Sequence, residues 1–133
     1  MKNQEQINFE QKCIETFNEK HCILNQEYVI EFVYNLYHSN NNNINLVNKL
    51  DSCDWLGYCC KEYKTIYINM KSKHSLDYMY EVFLHEMGHS MQFKHNHNKE
   101  FRENVKEIGG VLIYEGGDAR NLIEFNNRYQ HNP

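Results

Sequence analysis

The sequence predicts an α+β fold in which a small antiparallel sheet or hairpin packs on one buried helix, with further helices on its flanks. Three observations predict it. Two short segments rich in aromatic and β-branched residues, 55–60 and 65–70, are separated by the polar stretch 61–64, the pattern of a hairpin. The segments around them carry apolar residues at helical spacing. At 133 residues, 41% hydrophobic and 14% aromatic, the chain can bury one core but is short for two, so residues 1–133 read as a single domain.

In chain order, residues 4–19 carry Ile7, Cys13, Ile14 and Phe17 among polar residues, a weakly amphipathic helix. Residues 26–38, with Val29, Ile30, Val33, Leu36 and Tyr37, read as a second helix that ends in the polar run Ser39 to Asn43. In the second hairpin strand Ile66 and Ile68 alternate with Tyr67 and Asn69, giving one apolar face and one mixed face. As an edge strand it would be able to pair with an extended peptide. Ser75 is an N-cap candidate for the next helix, where Leu76, Met79, Phe83, Met87 and Met91 form a buried stripe. Asn98 caps a helix running to about Ile108 with Phe101 and Val105 inward, and Gly109-Gly110 stops it. Residues 111–114 are a strand or a buried turn, and Asp118 caps a last helix carrying Leu122, Ile123 and Phe125.

A net charge of -4 supplies no field for strong nucleic-acid or anionic-membrane binding. Five cysteines, Cys13, Cys22, Cys53, Cys59 and Cys60, are odd in number, irregular in spacing and without a C-x-x-C pair, which excludes a disulfide framework or zinc ribbon from the expectation. Cys59 and Cys60 read as buried strand thiols, and Asp51 and Asp54 as turn and cap residues. The polar first residues are unlike a signal peptide, and no apolar run is long enough for a bilayer. The expectation is an intracellular monomer with reduced thiols.

The chemistry is concentrated in His85-Glu86-Met87-Gly88-His89. Residues four apart on a helix share a face, so His85 and His89 can grip one metal ion while Glu86 stands beside its open side. The neighbours Val82, Phe83, Leu84, Met87, Gly88, Ser90 and Met91 are all uncharged, so this strip can be buried. Gly88 costs about 1 kcal/mol of helix propensity, and its missing side chain would let another element approach closely. Three residues compete as third ligand. His95 stands at metzincin spacing, but Gln92 replaces the glycine at which that helix turns. Glu115, the thermolysin-like option, adjoins Gly116-Gly117, a poor helical setting. His97 precedes a capped helix, so a turn after Phe93 would return it to the metal, and it is the preferred candidate.

The segment 57–101 resembles the SprT-like zincin metallopeptidases and, less closely, the WLM proteins. The shared residues are Ile66-Tyr67-Ile68-Asn69, then His85-Glu86-Met87-Gly88-His89, then His97-Asn98-Lys99-Glu100-Phe101. The resemblance implies a minimal zincin fold with a cleft between helix and hairpin, Zn2+ held by His85, His89 and His97, and Glu86 as general base. It covers about a third of the chain. The zinc ribbon of several relatives is missing from these residues, so the nucleic-acid partner that the resemblance admits has no support from charge or from sequence.

The expected activity is hydrolysis of a protein or peptide substrate, with Glu86 taking a proton from water activated by the metal. Two other readings compete with it. One is a catalytically inactive zincin-like protein in which metal stiffens a partner-docking surface. The other is metal buffering by His95, His97 and the thiols, which predicts several weak sites in place of one tight site.

Overall fold

The computed structural model describes residues 2–20, 27–34, 55–92 and 96–129. In order these form α1 (Gln4–Lys20), β1 (Val29–Val33), β2 (Gly57–Cys60), β3 (Thr65–Asn69), α2 (Leu76–Ser90), α3 (Lys99–Glu107) and α4 (Ala119–Arg128). The α+β expectation holds, and α2 is its centre. One side of α2 packs on α1 and on the apolar face of the sheet. Its other side packs on α3 and on the irregular segment 108–113.

The sheet differs from the expectation in two respects. Residues 29–33 are strand β1 where helical spacing predicted a helix; the rest of that predicted helix from 35 onward lies outside the described residues. The run Val-Ile-Glu-Phe-Val is β-branched and aromatic, and pairing with β3 overrides its helical periodicity. Strand order is β1-β3-β2, with β1 parallel and β2 antiparallel to β3, so the sheet is mixed. β3 is therefore the central strand and every residue in it is buried. It has no edge to offer a peptide, and that part of the expectation is corrected. Its pleat sends Ile66 and Ile68 toward α2, while Tyr67 packs with Val33 and Cys60 beneath Trp55 and Tyr58.

The predicted hairpin is present, with Lys64 at φ 49 closing its turn. The three predicted caps also form. Ser75 Oγ accepts from Tyr78 N–H at 3.2 Å, Asn98 Oδ1 from Phe101 N–H at 3.0 Å, and Asp118 Oδ1 from Arg120 N–H at 2.8 Å.

Two helix faces turn out differently from their predicted stripes. α1 buries Phe9, Cys13 and Phe17, a clean i, i+4 row, while Ile7 and Ile14 sit on its outer face. α4 leaves Leu122 and Ile123 exposed and buries Asn121. That amide is fully used: Oδ1 accepts from Ile113 and Tyr114 N–H, and Nδ2 donates to the carbonyls of Tyr114 and Glu115. The run 111–114 is thus a buried irregular segment held by side chains, not a strand.

Cys13, Cys59 and Cys60 are buried free thiols, as expected of structural cysteines. Burial pushes Cys59 up to about 12, so it stays a thiol. Cys22, Cys53, Asp51, Asp54, Phe93 and His95 lie outside the described residues. Among the described residues no helix is long and apolar enough to cross a membrane.

Candidate metal centre and active site

α2 is buried along most of its circumference from residue 81 to residue 90, which is why its motif can be shielded from water. Its C-terminal half is closely approached by α3. A Cβ on Gly88 would lie 2.3 Å from Val105 Cγ2 and 3.2 Å from Phe101 Cε1, so the glycine inside the motif admits α3, as its missing side chain predicts. Phe101, fully buried, then becomes the wall of the site. Its ring lies 4.8 Å from that of His85, 4.1 Å from that of His89 and 5.0 Å from that of His97, centroid to centroid.

The chain leaves α2 after Met91 and returns at Asn98, which brings His97 over the two helical histidines. His97 Nε2 is 3.2 Å from His89 Nε2 and 3.2 Å from His85 Nε2, and the ligand atoms of all three lie within 4.8 Å of one another. Nitrogens bound tetrahedrally at about 2.05 Å would stand about 3.3 Å apart, close to this spacing. Of the two third-ligand candidates among the described residues, His97 and Glu115, the structure brings His97 to the pair. Glu115 stays outside the cluster, although its charge is felt by His97.

Tautomers are set from behind. Leu112 O lies 2.6 Å from His85 Nδ1, and Gln92 Oε1 lies 2.6 Å from His89 Nδ1. Oxygen in a carbonyl or amide only accepts, so each Nδ1 carries the proton and each Nε2 directs its lone pair into the cluster. The Gln92 orientation is consistent with the neighbours of its amide nitrogen, since Nε2 donates to Asn96 Oδ1 and Asn98 Oδ1, both at 3.4 Å. Burial lowers the His97 pKa, with Glu115 opposing, and this favours the neutral imidazole that a metal requires. Converging imidazole lone pairs at this spacing fit a divalent cation.

Glu86 is buried and accepts a hydrogen bond from the Cys59 main-chain N–H on β2. Burial pushes its carboxyl up to about 8 against that hydrogen bond, and a dication on the histidines would oppose the shift. Gly57 permits the contact between β2 and α2: a Cβ there would lie 2.9 Å from Val82 Cγ1 and 3.1 Å from Glu86 Cγ. The outer edge of β2 therefore runs beside Glu86.

Several supporting residues were not legible as such. Glu81, one turn before His85, is wholly buried; its Oε1 accepts from Val111 N–H at 3.0 Å, and its Oε2 accepts from the Tyr129 hydroxyl. A lone acid in an apolar helical run was the available signal. Gln92 was visible only as a departure from the metzincin glycine, and Leu112 acts through a main-chain oxygen that any residue would supply.

No curated protein and no solved structure matches the chain. A family model does: metallo-peptidase family M12B, reprolysin-like, over residues 2–96. The matched span includes His85, Glu86, His89 and the alternative candidate His95 and stops one residue short of His97. It covers well over half of the 133 residues, and the chain belongs to the reprolysin-like metallo-peptidase family M12B.

Proposed function

We propose that this protein is a zinc-dependent endopeptidase of the SprT-like kind, with His85, His89 and His97 as ligands and Glu86 as general base. The observation that carries the reading is the three-histidine cluster together with a buried carboxylate, Glu86, on the helix that carries two of the histidines and beside the β2 edge. The SprT-like assignment draws support from the third histidine being His97, followed by the Asn98 cap and the Phe101 wall.

His85, His89 and His97 would hold a zinc ion, which would supply a Lewis acid to lower the pKa of water and polarise a carbonyl. Glu86 takes the proton from the attacking water and passes it to the leaving amine. Burial raises this carboxyl and a cation on the histidines would lower it again, and a carboxyl under such opposed influences is suited to both transfers. The substrate strand aligns along β2, the edge next to Glu86, and not along β3, which is enclosed on both sides. Main-chain pairing of this kind accepts extended, locally unfolded polypeptide and holds it whatever its side chains.

The test is the Glu86→Gln variant. It should retain one zinc per chain while losing at least about a thousandfold of the cleavage of an unfolded polypeptide, read by mass spectrometry of new termini. Cleavage retained by that variant would refute the assignment of the base. A wild-type chain that binds zinc, gains thermal stability from it and cuts nothing would favour a metal-stiffened docking module.

A further inference from the structure

We propose that Lys61 is a positioning residue of the metal centre, one that locks the substrate-side hairpin to the end of the metal helix; the inference rests on the zinc reading above. Lys61 follows β2 directly, in the turn of the hairpin. Its Nζ crosses to α2 and donates to two main-chain carbonyls there, His89 O and Gln92 O, each at 2.6 Å. These belong to the two residues joined by the bond from His89 Nδ1 to the Gln92 side chain.

One ammonium thus fixes the backbone of a ligand and the backbone of the residue that orients that ligand. The last carbonyls of a helix carry its negative dipole end, so a cation is favoured here even though His89 O also accepts from Gln92 N–H at 3.3 Å. Glu100 on α3 lies close enough to act on the same charge. Two residues before Lys61, on β2 itself, Cys59 N–H holds Glu86. Two consecutive contacts, Cys59 to Glu86 and Lys61 to the end of α2, therefore clamp the edge strand against both the base and a metal ligand. The same clamp sets where the chain exits α2 toward His97.

A positioning role predicts a change at the metal, and a merely structural cap does not. In the Lys61→Met variant, zinc affinity measured by competition with a chromogenic chelator should fall about ten- to a hundredfold. The visible spectrum of the cobalt-substituted protein should shift as the His89 ring loses its fixed geometry. Lys61→Arg, which keeps the charge and can reach both carbonyls, should recover affinity to within about threefold. Unchanged zinc affinity in Lys61→Met, whether or not the thermal midpoint of the metal-free protein drops, would overturn the proposal. If Lys61→Met fails to fold, Lys61→Gln is read by the same competition, and wild-type affinity there overturns it equally. A wild-type chain that binds no stoichiometric zinc would sink the metal reading itself.

Discussion

His85 Nδ1 lies 2.6 Å from the main-chain oxygen of Leu112, a contact that ties α2 to a segment with no regular structure. The helix holds that segment twice on one face, because Glu81, four residues before His85, accepts from Val111 N–H. On its far side Asn121 of α4 holds residues 113–115 with four hydrogen bonds. An orienting carbonyl for a ligand is thus kept in place by a buried acid on one side and a buried amide on the other.

Gln92 performs for His89 what Leu112 performs for His85, but with a side chain, so it can be removed. Gln92→Ala should weaken zinc binding about tenfold or more, because His89 loses the acceptor that fixes its tautomer and ring. Gln92→Glu keeps an acceptor oxygen and should retain tight binding. Equal zinc affinity in the alanine variant and the wild type, by chelator competition, would contradict this role.

The third ligand divides two arrangements cleanly. Metal analysis of the purified His97→Ala variant should find no stoichiometric zinc, and the His95→Ala variant should keep one ion per chain. His97 Nε2 stands 3.2 Å from the Nε2 atoms of both helical histidines, which is the basis for that expectation. Loss of zinc in the His95 variant alone would assign the ligand at metzincin spacing instead.

Gly88→Ala sets two effects of opposite sign against each other. Alanine gains about 1 kcal/mol of helix propensity over glycine. Its Cβ, however, would sit 2.3 Å from Val105 Cγ2, and overpacking a filled core costs about 1–3 kcal/mol. Steric cost should win, since Val105 is a short branched side chain in a buried helix face with no slack to give. Denaturant unfolding should show net destabilisation, and adding Val105→Ala should relieve part of the strain.

Asp118 supplies a pH test remote from the metal. Hydrogen bonds from the Arg120 side chain and main chain hold its carboxyl below the usual carboxylate range. A depressed folded-state pKa means the cap's contribution is complete above the ordinary aspartate value and is lost as pH falls through the lowered one. The start of α4 should therefore fray on acidification, seen as a shift of the Arg120 amide resonance. Asp118→Asn, which keeps the cap oxygen without the charge, should abolish that titration.

What depends on neighbours along the chain was readable from the residues alone. Helical spacing puts His85 and His89 on one face, and the caps at Ser75, Asn98 and Asp118 start their helices through side chains that reach three residues or fewer. Gly88 was readable as a point of close approach for the same reason, since a glycine that costs helix propensity calls for a packing partner. Features that depend on partners distant in sequence were not readable in this way, because they are set by how the elements pack. Residues 29–33 satisfy a helical pattern in isolation, but hydrogen bonding to β3 makes them a strand, and that pairing moves β3 from edge to centre. Leu112 acts through its main chain and Lys61 through a side chain that spans 28 residues to His89, so neither leaves a local pattern. The pairing of His85 with His89 is written in spacing, while the contacts that orient their rings are set by how α2 is enclosed.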